Sequence, residues 1–366
     1  MIFSSLYSHY SSRKLIIDLQ TPFTMSIKSD ITLDISKFRP ENVTESTKKA
    51  AALLENITTN GPRWWEVGIE KYREMRELGQ TPLPKPVYLP EALDGSVPSR
   101  DAGREVPIRI YKPDNGRPSK GVLLHFHGGG FVLATHKHSD GSLREYANKC
   151  QLTAVSVGYR LAPEHPYPAA MHDAVDAAEY MVDHAMEVYG GPLRFLAGES
   201  AGACLAVLSA LQLMRSRLSY KLSGLVLPYG LFDLALGLPT VAASTKPLMI
   251  NLAILERYNS AYVPGMSTAE RKHPFVSPLY EELQTLVAGS STGSLPPALF
   301  LCGTEDPLLD DTILMSSKWS IAGGEAIVKF YPGATHGFTV FPGLPVAEEA
   351  NAVTLEFMQT KLSDSP

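Results

Sequence analysis

The sequence predicts an α/β fold, a mostly parallel sheet covered by helices on both faces, and three observations carry that prediction. From residue 86 onward, short apolar runs at 106–111, 122–126, 153–157, 193–197, 224–227, 298–302 and 327–331 alternate with helical patterns. Strands that alternate with helices pair in parallel and are buried on both faces. The runs 106–111 and 122–126 are separated only by the turn-rich "KPDNGRPSK". That spacing reads as a hairpin and predicts an antiparallel N-terminal edge. Finally, 366 residues, 44% hydrophobic and 19% charged, suffice for one large domain with an accessory cap or for two ordinary domains.

Taken in order, the first 24 residues hold five serines, Arg13 and Lys14 but no apolar run of signal-peptide length. Residues 1–40 are therefore left unassigned, as an extension dispensable before Met25. A cytoplasmic location is expected, with organellar targeting as the alternative. Without a signal peptide, the glycosylation patterns at Asn42 and Asn56 are chance matches. Residues 41–80 read as helical, with charged positions interleaved among apolar ones and "GPRWWEVG" at 61–68 in the middle. Residues 231–296 interrupt the alternation with helical patches and end in the connector "GSSTGSLPP". So long an insertion serves a lid or a binding surface. The stretch 201–214 is apolar but shorter than the roughly 20 residues a membrane span needs, so it is expected to be a buried helix.

Several function classes are excluded at this stage. A net charge of −5 without a long Lys/Arg run is not a nucleic-acid footprint. Cys150, Cys204 and Cys302 are far apart and lack metal-ligand spacing, so they read as small core residues. No glycine pattern supports a dinucleotide or P-loop site. No metal and no cofactor are expected.

Chemistry concentrates at four places. The run 193–197 is followed at once by "GESAG" at 198–202 and then by the apolar helix. In a strand–turn–helix setting, Gly-x-Ser-x-Gly holds its serine out on a sharp turn at the helix N-terminus, which makes Ser200 the candidate nucleophile. A serine hydroxyl needs a base. His336, in "GATHGF" after the last apolar run, is the candidate. An acid must hold the imidazole tautomer, and "CGTEDPLLDD" at 302–311 offers Glu305, Asp306, Asp310 and Asp311. Asp306 is favoured because it lies just beyond the strand end and Pro307 fixes its turn, whereas Asp310 or Asp311 is expected to cap or begin the next helix. "HGGGF" at 127–131 ends the run 122–126, where bare amides could face a developing oxyanion. The expected donors are the N–H groups of Gly129, Gly130 and Ala201.

With these pieces the chain resembles the hormone-sensitive-lipase-like carboxylesterases of the α/β-hydrolase superfamily, which carry an HGGG motif. The resemblance rests on "HGGGF", "YRLAPEHPYPAA" at 159–170, "GESAG", "SPLY" at 277–280, "DPLLD" at 306–310 and "HGF" at 336–338, and spans about residues 86–360. It implies an α/β-hydrolase fold with a mostly parallel eight-stranded sheet. A helical cap is implied at 41–85, with a second part inserted at about 233–290 of the hydrolase domain 86–366. It also implies catalysis by Ser200, His336 and Asp306 without a cofactor. The implied reaction is hydrolysis of short- to medium-chain carboxylic esters, including deacetylation of secondary metabolites as in several fungal relatives. Lactone, amide or thioester hydrolysis and a non-catalytic small-molecule receptor are the alternatives. The partner expected is a small-molecule ester, with no nucleic acid and no membrane span, and a homodimer is allowed for. Glu199 and Ala134 depart from the family's commoner aspartate and glycine and bear on substrate preference. Arg160 and His165 are expected to tie the loop beneath the site. Trp64 and Trp65 are expected to pack the cap or line the pocket, and His136 and His138 to be exposed.

Overall fold

In the computed structural model, which describes residues 29–364, each of the seven apolar runs is a strand and one further strand precedes them. The strands are β1 Leu93–Pro98, β2 Glu105–Tyr111, β3 Val122–Phe126, β4 Thr153–Val157, β5 Leu193–Gly198, β6 Gly224–Pro228, β7 Ala298–Gly303 and β8 Ala326–Tyr331. They form one eight-stranded sheet in the order β1-β2-β4-β3-β5-β6-β7-β8. The chain divides after Ile35 into two compact units, and every element described belongs to the second, Ser36–Pro366. The extension before Met25 lies outside the described residues.

The edge corrects the expected hairpin. β2 pairs antiparallel with β1 and with β4, not with β3, and the remaining pairs are parallel. The reason is burial. All of β3 is buried, so it must sit inside the sheet between β4 and β5. β2 leaves Glu105 and Pro107 exposed and suits a position nearer the edge.

The helices are α1 Glu45–Asn60, α2 Trp64–Val67, α3 Ile69–Glu77, α4 Asp140–Cys150, α5 Ala169–Tyr189, α6 Ala201–Ser216, α7 Pro239–Ala243, α8 Leu252–Tyr262, α9 Thr268–Arg271, α10 Leu283–Gly289, α11 Leu309–Ile321 and α12 Pro345–Ser363. Along β3, Val122, Leu124 and Phe126 face a core built with α5, α6 and α11, while Leu123 faces a second core built with α4 and α12. That period of two is what a strand requires when both faces are covered. α6 is buried along nearly its whole length, as its apolar sequence predicts. Among the described residues no helix is long and apolar enough to cross a membrane.

Topology fixes where chemistry can occur. From β3 the chain steps to β4 on one side of the sheet, and β5 lies on the other. A crevice opens beyond the carboxyl ends of strands at such a switch point. Residues of α1, α2, α3 and α8 line the cavity there. The Trp64 ring lies 5.7 Å from that of Tyr258 on α8. Arg73 on α3 donates to the carbonyls of Val132 at 2.8 Å and Ala162 at 3.1 Å and pairs with Glu164 at 2.7 Å.

Candidate active site

Ser200 sits between the end of β5 and the start of α6 with φ 56° and ψ −118°. A side-chain-bearing residue rarely adopts this backbone, and it persists only where the surroundings over-determine it. Here the surroundings are the loop after β6. The Ser200 amide donates to Pro228 at 3.1 Å, and its carbonyl accepts from Leu231 at 3.2 Å. Space is the second constraint. A Cβ on Gly202 would strike the Phe126 carbonyl, and one on Gly198 would meet the carbonyls of Gly202 and Phe126. The flanking glycines thus let the turn close against β3.

His336 arrives on the loop after β8 and Asp306 just beyond β7. Both are buried. His336 Nδ1 lies 2.9 and 3.1 Å from the two Asp306 oxygens, and its Nε2 lies 2.9 Å from Ser200 Oγ. With Nδ1–H donating to the carboxylate, Nε2 presents its lone pair to the serine hydroxyl. Asp306 Oδ1 also accepts the Leu308 amide at 2.9 Å, which fixes the carboxylate. The Tyr229 ring stands edge-on to His336 at 4.9 Å.

Of the four acids weighed, Asp306 is the one that meets the imidazole. Glu305 is exposed. Asp310 and Asp311 begin the next helix, in the first turn of α11, rather than cap it. Asp310 accepts the Thr240 amide at 2.8 Å, and Asp311 accepts those of Phe232 at 2.6 Å and Asp233 at 2.8 Å. Their carboxylates reach across to the segment following β6, whose amides have no strand partner there.

The three glycines divide their labour. The Gly128 amide donates to Glu199 Oε1 at 2.9 Å. Gly129 and Gly130 take φ values of 107° and 62°, which L side chains resist. Their N–H groups and that of Ala201, the first residue of α6, donate to no protein group among the described residues. Ala201 adds the positive end of the helix dipole. Unclaimed amides beside a nucleophile are the arrangement that stabilises an oxyanion.

Sequence reasoning missed the groups that brace this loop. His125 bridges Ser156 at 3.0 Å and Glu199 Oε2 at 2.8 Å. Burial works against the Glu199 charge, but the His125 contact and the Gly128 amide outweigh it and hold the carboxyl below its ordinary range. His127 stacks on Tyr159 with ring centres 4.2 Å apart, and its Nδ1 donates to the Gly128 carbonyl at 2.8 Å. Burial pushes its pKa down to about 3, so it is a neutral donor. The signal was the pair of histidines flanking Phe126 and the acid before the serine, but spacing alone does not pair them.

Two further expectations change. His136 and His138 are not exposed but half-buried: His136 packs beside Gly158, and Glu77 on α3 and Tyr88 beyond it lie against His138. His138 Nε2 contacts Glu77 at 2.8 Å, and burial lowers the His136 pKa to about 4. Arg160 clasps Asp173 from its side chain and its amide, both at 2.8 Å, beside Arg104 on the same carboxylate, so it ties the loop as expected. A cavity of about 750 Å³ opens over Ser200 and His336, and Trp64, Trp65, Leu133, Tyr258 and Ile254 are among its walls. Among the described residues no three of His, Cys, Asp and Glu cluster as metal ligands.

Comparison with known proteins finds relatives in sequence and in fold. Residues 123–340 match the model of the family described as alpha/beta hydrolase fold. The chain is similar to the carboxylesterase NlhH of Mycobacterium tuberculosis, 30% identical over 81% of this chain and 90% of the relative. It is also similar to an ethyl acetate hydrolase of Pseudomonas putida, 31% identical over 74% of this chain and 82% of the relative. Among solved structures, a hyperthermophilic esterase from the archaeon Pyrobaculum calidifontis superposes with a TM-score of 0.71 at 28% identity, covering 85% of this chain and 96% of that one. An alpha/beta hydrolase enzyme from the metagenome of Lake Arreo gives 0.73 at 26% identity, covering 88% and 98%.

Proposed function

The chain belongs to the alpha/beta hydrolase fold family, in its hormone-sensitive-lipase-like branch, and is a carboxylic ester hydrolase; we propose that it works through a Ser200–His336–Asp306 acyl-enzyme mechanism. The observation that carries the reading is the chain of contacts from Asp306 through His336 to Ser200 Oγ, each near 2.9 Å, ending beside unclaimed amides.

Ser200 Oγ attacks the ester carbonyl carbon while His336 Nε2 takes its proton. The carbonyl oxygen gains the displaced electron pair and is held by the amides of Gly129, Gly130 and Ala201. Collapse of that intermediate breaks the bond to the alkoxide oxygen, which leaves with the proton from His336. Water repeats the sequence on the acyl-enzyme and frees the acid and Ser200. Asp306 stays ionised and keeps the imidazole in the productive tautomer.

Helices within 41–85 and 233–290 act as a cap in this reading, and Trp64 with Tyr258 forms part of its apolar wall. About 750 Å³ is more than a short ester fills, and it suits a short acyl group carried on a larger alcohol. Deacetylation of a secondary metabolite is one reaction of that form. A chain-length panel of chromogenic esters, run on wild type and Ser200→Ala, tests the reading. Turnover of acetyl to hexanoyl esters that the substitution abolishes supports it. Full activity in Ser200→Ala removes the serine from its role, and tight binding of a small ligand with no turnover favours a receptor.

A further inference from the structure

The cavity above Ser200 holds a cation for which ester hydrolysis has no evident use. Tyr72, Arg73 and Arg76, all on α3, line it. Arg73 is committed to Glu164 and to the carbonyls of Val132 and Ala162. Arg76 is not. Its Nη1 donates to the Pro84 carbonyl, yet no carboxylate pairs with it among the described residues, and its buried Nε has no partner. The neighbouring Glu77 is engaged elsewhere, with His138 at 2.8 Å and with the Tyr88 hydroxyl.

Burial draws the guanidinium partly out of water and lowers the Arg76 pKa, and the nearby charge of Glu77, whose hydrogen bonds go elsewhere, offsets only part of that. An arginine nonetheless stays charged at any physiological pH. With Nη1 taken by Pro84 and Nε buried, Nη2 is the guanidinium nitrogen left to meet a ligand, and its N–H can make a charge-assisted hydrogen bond to a carboxylate oxygen. The remaining charges around the cavity set the limit. Arg63 and Lys85 are exposed cations on its lining, Arg63 paired with Glu66 at 3.5 Å, and Glu199 is held by His125 and the Gly128 amide, while the exposed Glu145 and Glu348 line it from α4 and α12. A dianion would meet those acids, whereas a single carboxylate seated on Arg76 would not have to.

We propose that Arg76 receives a carboxylate carried by the substrate away from the scissile bond, so that the enzyme prefers esters bearing one free carboxylate over neutral esters of equal length. This deepens the esterase reading and rests on it. Most of the substrate would lie on the apolar wall of Trp64, Tyr258, Leu133 and Ile254, with its one charged end at α3.

Two matched pairs of esters test the proposal at low ionic strength. The mono-p-nitrophenyl ester of adipic acid is compared with p-nitrophenyl hexanoate, and the acetate ester of 6-hydroxyhexanoic acid with hexyl acetate. The first pair carries the carboxylate on the acyl side and the second on the alcohol side. The expected result is a kcat/KM about 10-fold higher for the charged member of at least one pair, expressed in KM, which is the range of a charge-assisted hydrogen bond. Arg76→Gln should bring that ratio to about one, and Arg76→Lys, which keeps the charge, should retain part of it. The proposal is overturned if wild type prefers neither charged ester. It is also overturned if Arg76→Gln, melting like wild type, keeps the ratio. Ser200→Ala separates the two questions: if it hydrolyses both members of a pair as wild type does, the esterase reading fails, whatever Arg76 does.

Discussion

The Glu199 carboxylate accepts the Gly128 amide at 2.9 Å, and so joins the residue before the serine to the loop whose next two amides are unclaimed. His125 holds the other carboxylate oxygen at 2.8 Å. The aim of the Gly129 and Gly130 amides therefore depends on a side chain that touches no reacting atom. Glu199→Ala should lower kcat by about 10-fold or more with little change in KM, a smaller loss than the roughly 10²–10³ seen when an oxyanion donor is deleted outright. Steady-state kinetics on p-nitrophenyl butyrate, with a melting curve as the control for folding, reads the effect. An unchanged kcat would show that the glycine loop holds itself.

Asp306 offers both oxygens to His336 Nδ1 and anchors one of them on the Leu308 amide. Replacing it with Asn keeps the size but turns an N–H toward the imidazole and selects the wrong tautomer. Asp306→Asn should therefore fold and lose about 10⁴ in kcat. A loss under tenfold would mean that another acid, Glu305 among those nearby, serves the histidine.

Much of this site is legible in the sequence because its parts answer to local rules. The glycines of "GESAG" are demanded by the approach of α6 to the Phe126 carbonyl, and Asp306 and His336 each follow an apolar strand. What was not legible depends on pairing across the chain. β1 buries only Val97, because its place at the edge rests on backbone bonds to β2, so no apolar pattern marks it. Pairing of β2 with β4 likewise leaves no local trace, since only the burial of β3 on both faces excludes the hairpin. The roles of Glu199 and Arg76 follow from which amides and carboxylates are already engaged, and that is known only once the chain is folded.

Asp311 makes a prediction about pH. Its Oδ1 takes two amides, but its Oδ2 is buried with no partner. Burial raises its pKa well above the ordinary carboxyl range. The Phe232 and Asp233 amides oppose that rise, and the nearby Asp233 and Asp306 charges add to it. A raised folded pKa means the protonated form is favoured in the native state. Its stabilisation is whole below the unfolded value of about 3.9 and is lost as pH rises through the folded value. Asp311→Asn, neutral at every pH, should flatten that part of the stability profile and melt no lower than wild type at pH 8. Urea unfolding between pH 4 and pH 8 measures the slope. A steeper fall in the variant would contradict the account.

Arg73 predicts how the helices above the site are held. Its guanidinium clasps two carbonyls and Glu164, whose side chain is 41% exposed, so the carbonyl contacts matter more than the ion pair. Arg73→Leu leaves both carbonyls short of a donor and should cost about 1–3 kcal/mol. It should also open residues 61–80 to limited proteolysis before the sheet. Cleavage at the wild-type rate would show that Trp64 and Tyr258 hold these helices without it.

The central claim is that Ser200 becomes covalently acylated. Incubation with a p-nitrophenyl alkylphosphonate, followed by mass spectrometry of the digested protein, tests it most directly. The account predicts one adduct per chain on the peptide carrying Ser200, loss of esterase turnover in proportion to labelling, and no label on Ser200→Ala. An adduct on another residue that abolishes turnover, or undiminished hydrolysis by a fully labelled enzyme, would contradict it.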